Sequence, residues 1–148
     1  MNRHRILDPE AMLQFVTGGQ SIFTLANSTT GNRYTYKVSK KKHGDIFWVS
    51  LLNGSDNVKD YRFFGTLFPT YYLSNTYRFK HSRNGKIGHE AQSVVAWSWF
   101  LTRLQSGKGF PEGFQFWHEG RCGRCGRRLT VPSSLSVGFG PECEKKVA

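Results

Sequence analysis

Arg33-Tyr34-Thr35-Tyr36-Lys37-Val38 alternates with a period of two, Tyr34, Tyr36 and Val38 on one face and Arg33, Thr35 and Lys37 on the other. That is the pattern of a half-buried antiparallel strand, with one face toward a core and the other basic. The turn formers Ser28-Thr29-Thr30-Gly31-Asn32 separate it from Ile22-Phe23-Thr24-Leu25, so the two runs predict a β-hairpin.

Working outward from this hairpin, the charged connection Lys40-Lys41-Lys42-His43-Gly44 leads into Ile46-Phe47-Trp48-Val49-Ser50-Leu51-Leu52. This near-continuous apolar run predicts a central strand buried on both faces. Tyr61 to Leu67, Tyr71-Tyr72-Leu73 and Tyr77 to Lys80 follow at strand length between turn formers, which suggests a meander. Upstream, Asp8-Pro9-Glu10 supplies an N-cap, a proline at the first helical position and an acid facing the helix dipole, with Met12, Phe15 and Val16 as the apolar stripe and Gly18-Gly19 as the stop. Over residues 91–106 the period becomes helical, with Ala91, Val94, Trp97, Leu101 and Leu104 on one stripe, Ser93 as N-cap and Gly107 past the end. Trp97 and Trp99 differ by two positions and cannot both enter one core. The predicted fold class is α+β, an antiparallel sheet of about five strands covered by one amphipathic helix. Residues 1–110 form that domain, and residues 111–148 form a small zinc-knuckle module.

Cys122-Gly123-Arg124-Cys125 is a Cys-x2-Cys knuckle, and Cys143 follows in Gly138-Phe139-Gly140-Pro141-Glu142-Cys143. Two residues between thiolates let a tight turn aim both sulfurs at one ion, and Gly123 and Gly126 leave the backbone free to make that turn. Three thiolates and one imidazole complete a tetrahedral structural Zn2+ site. His118, four residues before Cys122, is favoured as fourth ligand over water, Glu119 or Glu142. The competing reading is of three reduced thiols packed as small hydrophobes. A redox dithiol is disfavoured because no βαβ pattern surrounds it.

Arg121, Arg124, Arg127 and Arg128 flank the knuckle, and Lys145 and Lys146 follow the last thiol. Guanidinium groups on a metal-pinned loop suit phosphates, because Arg donates in a planar fork. Arg33, Lys37, Lys40, Lys41 and Lys42 add a basic sheet surface, with Arg62, Arg78 and Lys80 further on. Neighbouring aromatics would suit a single strand, although most of them alternate into the core. The whole chain of 148 residues holds 21 Lys and Arg against 10 Asp and Glu, a formal net charge of +11, which favours a polyanionic partner. Aromatics at 15% place it among folded chains.

Other classes lack their signatures. No apolar run approaches the roughly 20 residues of a membrane helix. Acidic Asp8 and Glu10 interrupt the N-terminus before a secretory leader could develop. Three cysteines, an odd number, fit a reduced cytoplasmic metal site better than disulfides. His4, His43, His81 and His89 lack acid partners at useful spacing, and neither a nucleophilic triad nor a phosphate-binding glycine loop is present, so no enzyme is expected.

The stretch from Trp117-His118-Glu119-Gly120-Arg121-Cys122-Gly123-Arg124-Cys125-Gly126-Arg127-Arg128-Leu129-Thr130 through Pro132, Ser133 and Ser134 to Cys143 resembles a small uncharacterised zinc-ribbon-like domain common in phage and prophage proteins. The resemblance covers about a fifth of the chain. Upstream, Phe23-Thr24-Leu25, Thr30 to Val38 and the Trp97 helix are similar to the part that accompanies this tail in such proteins. It implies a zinc site and a phage or mobile-element origin, hence the cytoplasm of a bacterial host, but no activity. The expected function is a non-enzymatic accessory protein that binds DNA or RNA. The alternative is a counter-defence inhibitor, anti-CRISPR-like, that binds a host nuclease or nucleoprotein complex.

Overall fold

The computed structural model describes residues 4–42, 44–56, 59–73, 76–83 and 87–147. His43, one of the histidines weighed above, lies outside the described residues. Helix α1 (Pro9–Val16) starts as its sequence dictates, with the Ala11 N–H donating to the Asp8 carboxylate at 3.0 Å. Strands β1 (Gln20–Asn27) and β2 (Arg33–Lys40) form the hairpin, paired from Gln20 opposite Ser39 to Ala26 opposite Arg33. Strands β3 (Phe47–Leu52), β4 (Tyr61–Pro69) and β5 (Tyr77–His81) continue the antiparallel meander. Helix α2 (Gln92–Ser106) then carries the chain back to β6 (Phe114–His118), which pairs with β1. The strand order is therefore β5-β4-β3-β2-β1-β6.

This connection decides which face is covered. The chain leaves one edge of the sheet at β5 and re-enters at the other as β6, so α2 must cross a face. It buries Val94, Trp97, Phe100, Leu101 and Leu104 there. Phe23, Tyr36, Phe64, Phe79 and Phe100 all place their rings within 6.5 Å of the Trp97 ring. The Tyr36 hydroxyl donates to the Ser93 carbonyl at 2.6 Å. Ser93 therefore sits inside the helix, and Ala91 occupies the N-cap position. Trp99 points away from the core and packs on Phe110 and Phe114.

Three expectations change. Tyr71-Tyr72-Leu73 is a turn, not a strand: it is apolar without alternation, and its three side chains are exposed. Strand β3 is buried on one face only, because Trp48 projects from the other. Residues 111–148 do not begin a packing unit apart from the first 110. β6 is the sixth strand of the same sheet, and Leu129, Leu135 and Phe139 belong to the same core as Phe15 and Phe116. Backbone bonds from Ile6 N–H to Phe116 O and from His118 N–H to His4 O also tie the N-terminal segment to β6.

Opposite the bulge between Val49 and Ser50, Gly65 and Phe63 take the paired positions, and the intervening Phe64 turns into the core. Among the described residues no helix is long and apolar enough to cross a membrane.

Candidate metal centre

After β6 the chain makes a small hairpin. The Leu129 N–H bonds to Gly120 O at 2.7 Å, the Cys122 N–H to Arg127 O at 2.8 Å, and Arg121 bridges to Arg128. Its tip is the Cys122–Cys125 turn, closed by the Gly126 N–H on Cys122 O at 2.9 Å. Helix α3 (Pro132–Val137) and helix α4 (Pro141–Val147) follow, and α4 returns Cys143 to the tip. The sulfurs of Cys122, Cys125 and Cys143 all lie within 4.8 Å of one another. Zn–S bonds of about 2.3 Å in tetrahedral geometry space sulfurs about 3.8 Å apart, so the thiols could hold an ion after closing by about 1 Å at most.

Donors surround the sulfurs. The Arg124 N–H lies 3.5 Å from Cys122 Sγ, and the Arg124 guanidinium 3.6 Å from Cys143 Sγ. Burial pushes the Cys122 thiol up, but the amides of Cys125, Gly140 and Arg124, with the Cys125 thiol, outweigh it and bring it down to about 7. Burial pushes the Cys143 thiol up, against the pull of Arg124, and the neighbouring Cys122 and Cys125 add to the rise. Thiols arranged this way suit thiolate ligation, since the same N–H groups stabilise negative sulfur.

His118 is not part of this cluster. It is the third residue of β6 on the core face, after Phe114 and Phe116, and its imidazole stacks on His4. Its Nε2 donates to Leu135 O at 2.5 Å, and its Nδ1 accepts from the Gly120 N–H at 2.9 Å. With Nε2 carrying a proton and the Nδ1 lone pair occupied, the ring has no lone pair left for a metal. The expected fourth ligand is thus a structural histidine that fastens α3 to β6.

The tip is seated on the body by close backbone approach. The Gln20 N–H donates to Gly123 O at 2.8 Å, and a Cβ on Gly18 would stand 2.6 Å from that same oxygen. Gly18→Ala should therefore cost about 1–3 kcal/mol through overpacking. Urea denaturation checks this: an unchanged midpoint would mean that the tip is not seated there.

The basic residues fall into two groups. Arg121, Arg124, Arg127 and Arg128 are all exposed around the thiols, and none of them has a carboxylate partner among the described residues. Lys145 reaches Glu142 at 3.9 Å, and Lys146 is exposed beside it on α4. Arg33, Lys40 and Lys42 are exposed at the ends of β2 and just beyond, with Lys40 3.9 Å from Asp45. Lys37 and Lys41 lie over the rings of Tyr61 and Trp48, each 5.6 Å from the centroid. What sequence reading missed is Trp48, hidden in an apolar run whose alternation becomes visible only once register is known.

Comparison with known proteins adds little to this geometry. No curated protein and no solved structure matches the chain. The model of a family of unknown function, DUF6011, matches residues 115–148, from β6 through the three cysteines to the C-terminus.

Proposed function

We propose that this chain is a nucleic-acid-binding accessory protein of a phage or other mobile element, acting without catalysis. Its structural zinc is held by Cys122, Cys125 and Cys143. One observation carries the reading: four exposed arginines without carboxylate partners among the described residues occupy eight consecutive positions fastened by three converging thiols. Guanidinium groups held on such a loop meet phosphate oxygens with little further ordering cost, and the net charge of +11 draws the polyanion in. The metal ties the Cys122–Cys125 turn to α4 and so fixes the arginines relative to the sheet.

Reversing charge at Arg124 and Arg127 together should weaken binding to DNA and RNA by at least 10-fold and flatten its salt dependence. Far-UV circular dichroism should stay unchanged, and affinities are compared at equal zinc occupancy, because the Arg124 guanidinium lies 3.6 Å from Cys143 Sγ. Equal affinity for the variant and the parent would remove these residues from the site.

A second reading, protein docking as a counter-defence inhibitor, is favoured by one observation. Tyr71 and Tyr72, each 83% exposed, stand with Leu73 on the β4–β5 turn. A host protein retained by the chain after nuclease digestion, and released by Tyr72→Ala, would support it.

A further inference from the structure

The face of the sheet turned away from α2 has a defined order of side chains. Register places Lys80, Thr66, Trp48, Ser39 and Gln20 in one row across five strands. Beside it, Phe63, Ser50, Lys37 and Ile22 form a second row. Trp48 is 49% and Phe63 41% exposed, so both rings stand open to solvent on this face. None of the six strands contains Asp or Glu, while Lys37, Arg78 and Lys80 project from this face and Lys41 reaches over it. Glu119, just past β6, lies close enough to Tyr61 for its charge to act on the hydroxyl. Burial and then that charge push the Tyr61 hydroxyl up to about 12.

We propose that this face is a stacking platform for single-stranded nucleic acid, with bases on Trp48 and Phe63 and phosphates on Lys37, Lys41 and Lys80. The inference deepens the nucleic-acid reading and rests on it. Exposed rings offer every base a π-face, which a duplex keeps stacked inside itself, so rings and cations together select a single strand. Lys41 covers Trp48 only through a flexible four-carbon stem. It can yield the ring to a base and take the adjoining phosphate. The first row spans about 19 Å, four inter-strand steps, and ends at Gln20, whose N–H is bonded to Gly123 of the knuckle. The strand's path thus leads from β5 across Trp48 to the arginines around the thiols.

The test is anisotropy of labelled oligonucleotides of about 12 nucleotides, single-stranded DNA and RNA and the matching duplex, titrated with the full chain. The parent should prefer the single strands. Trp48→Ala with Phe63→Ala should lose about 30-fold or more on them. The salt slope should hold, since no charge is removed. Trp48→Phe, which keeps a ring, should retain affinity within about 3-fold. Quenching of tryptophan emission by a single strand should be smaller in Trp48→Phe than in the parent. Undiminished single-strand affinity in the double variant, an equal loss on the duplex, or unchanged quenching in Trp48→Phe would overturn the platform and leave the arginine site standing. Failure of the parent to bind any of the three oligonucleotides would overturn both.

Discussion

Cys122→Ser should reduce bound zinc from about one per chain to near zero and release the C-terminal segment. Cys122 is fully buried and is the sulfur most surrounded by amide donors, so its loss removes the ligand the fold has best prepared. Structural zinc contributes roughly 10–16 kcal/mol of apparent binding free energy in small metal-pinned units, comparable with the whole stability of an ordinary domain. The segment's apolar contribution to the shared core, chiefly Leu129, Leu135 and Phe139, is small for the length of chain it must order. Limited proteolysis with mass spectrometry should therefore show rapid cleavage between residues 119 and 140, with the strands upstream still protected. Serine at 122 with zinc retained and the segment still protected would mean that the thiols do not organise it.

The second large effect lies in the sheet. Trp97→Ala should destabilise the protein by about 3–5 kcal/mol, the usual result of truncating a fully buried large aromatic. For a chain of this size that lowers Tm by about 6–20 °C. Five aromatic rings lose their common neighbour, and each such pair contributes on the order of 0.5–1.5 kcal/mol beyond burial. Trp97→Phe should cost distinctly less, because the indole N–H is buried without a partner among the described residues and no hydrogen bond is lost with it. Differential scanning calorimetry distinguishes the two. Equal costs for Ala and Phe would place the stabilisation in something other than ring packing.

These expectations show where sequence and structure agree. The hairpin, the cap of α1, the apolar stripe of α2 and the convergence of three cysteines were legible, because each rests on local period or spacing. β6 was not. Phe-Gln-Phe-Trp-His is short, follows a Gly/Pro connection, and gains its meaning from pairing with β1, about ninety positions earlier. His118 misled for a related reason. Spacing to Cys122 made it resemble a ligand, but strand parity puts it on the core face, where backbone groups of Leu135 and Gly120 take both ring nitrogens. Trp48 illustrates the reverse case. An apolar run looks buried on both faces until the topology shows that α2 crosses only one of them.

The basic surface follows the same logic. Charge composition pointed to a polyanion, yet only the register reveals that Lys80, Trp48 and Gln20 share a row leading to the knuckle. The row and the knuckle meet where the Gln20 N–H bonds to Gly123 O.

The central claim is that a metal-fastened basic surface holds nucleic acid. It is tested most directly by the affinity of zinc-quantified protein for DNA and RNA across a salt titration, before and after chelation. About one zinc per chain is expected, with binding that falls steeply with salt and loses much of its affinity on chelation, recovering when zinc is restored. One zinc per chain with no salt-dependent binding to any nucleic acid would contradict it and leave the arginines to a protein interface.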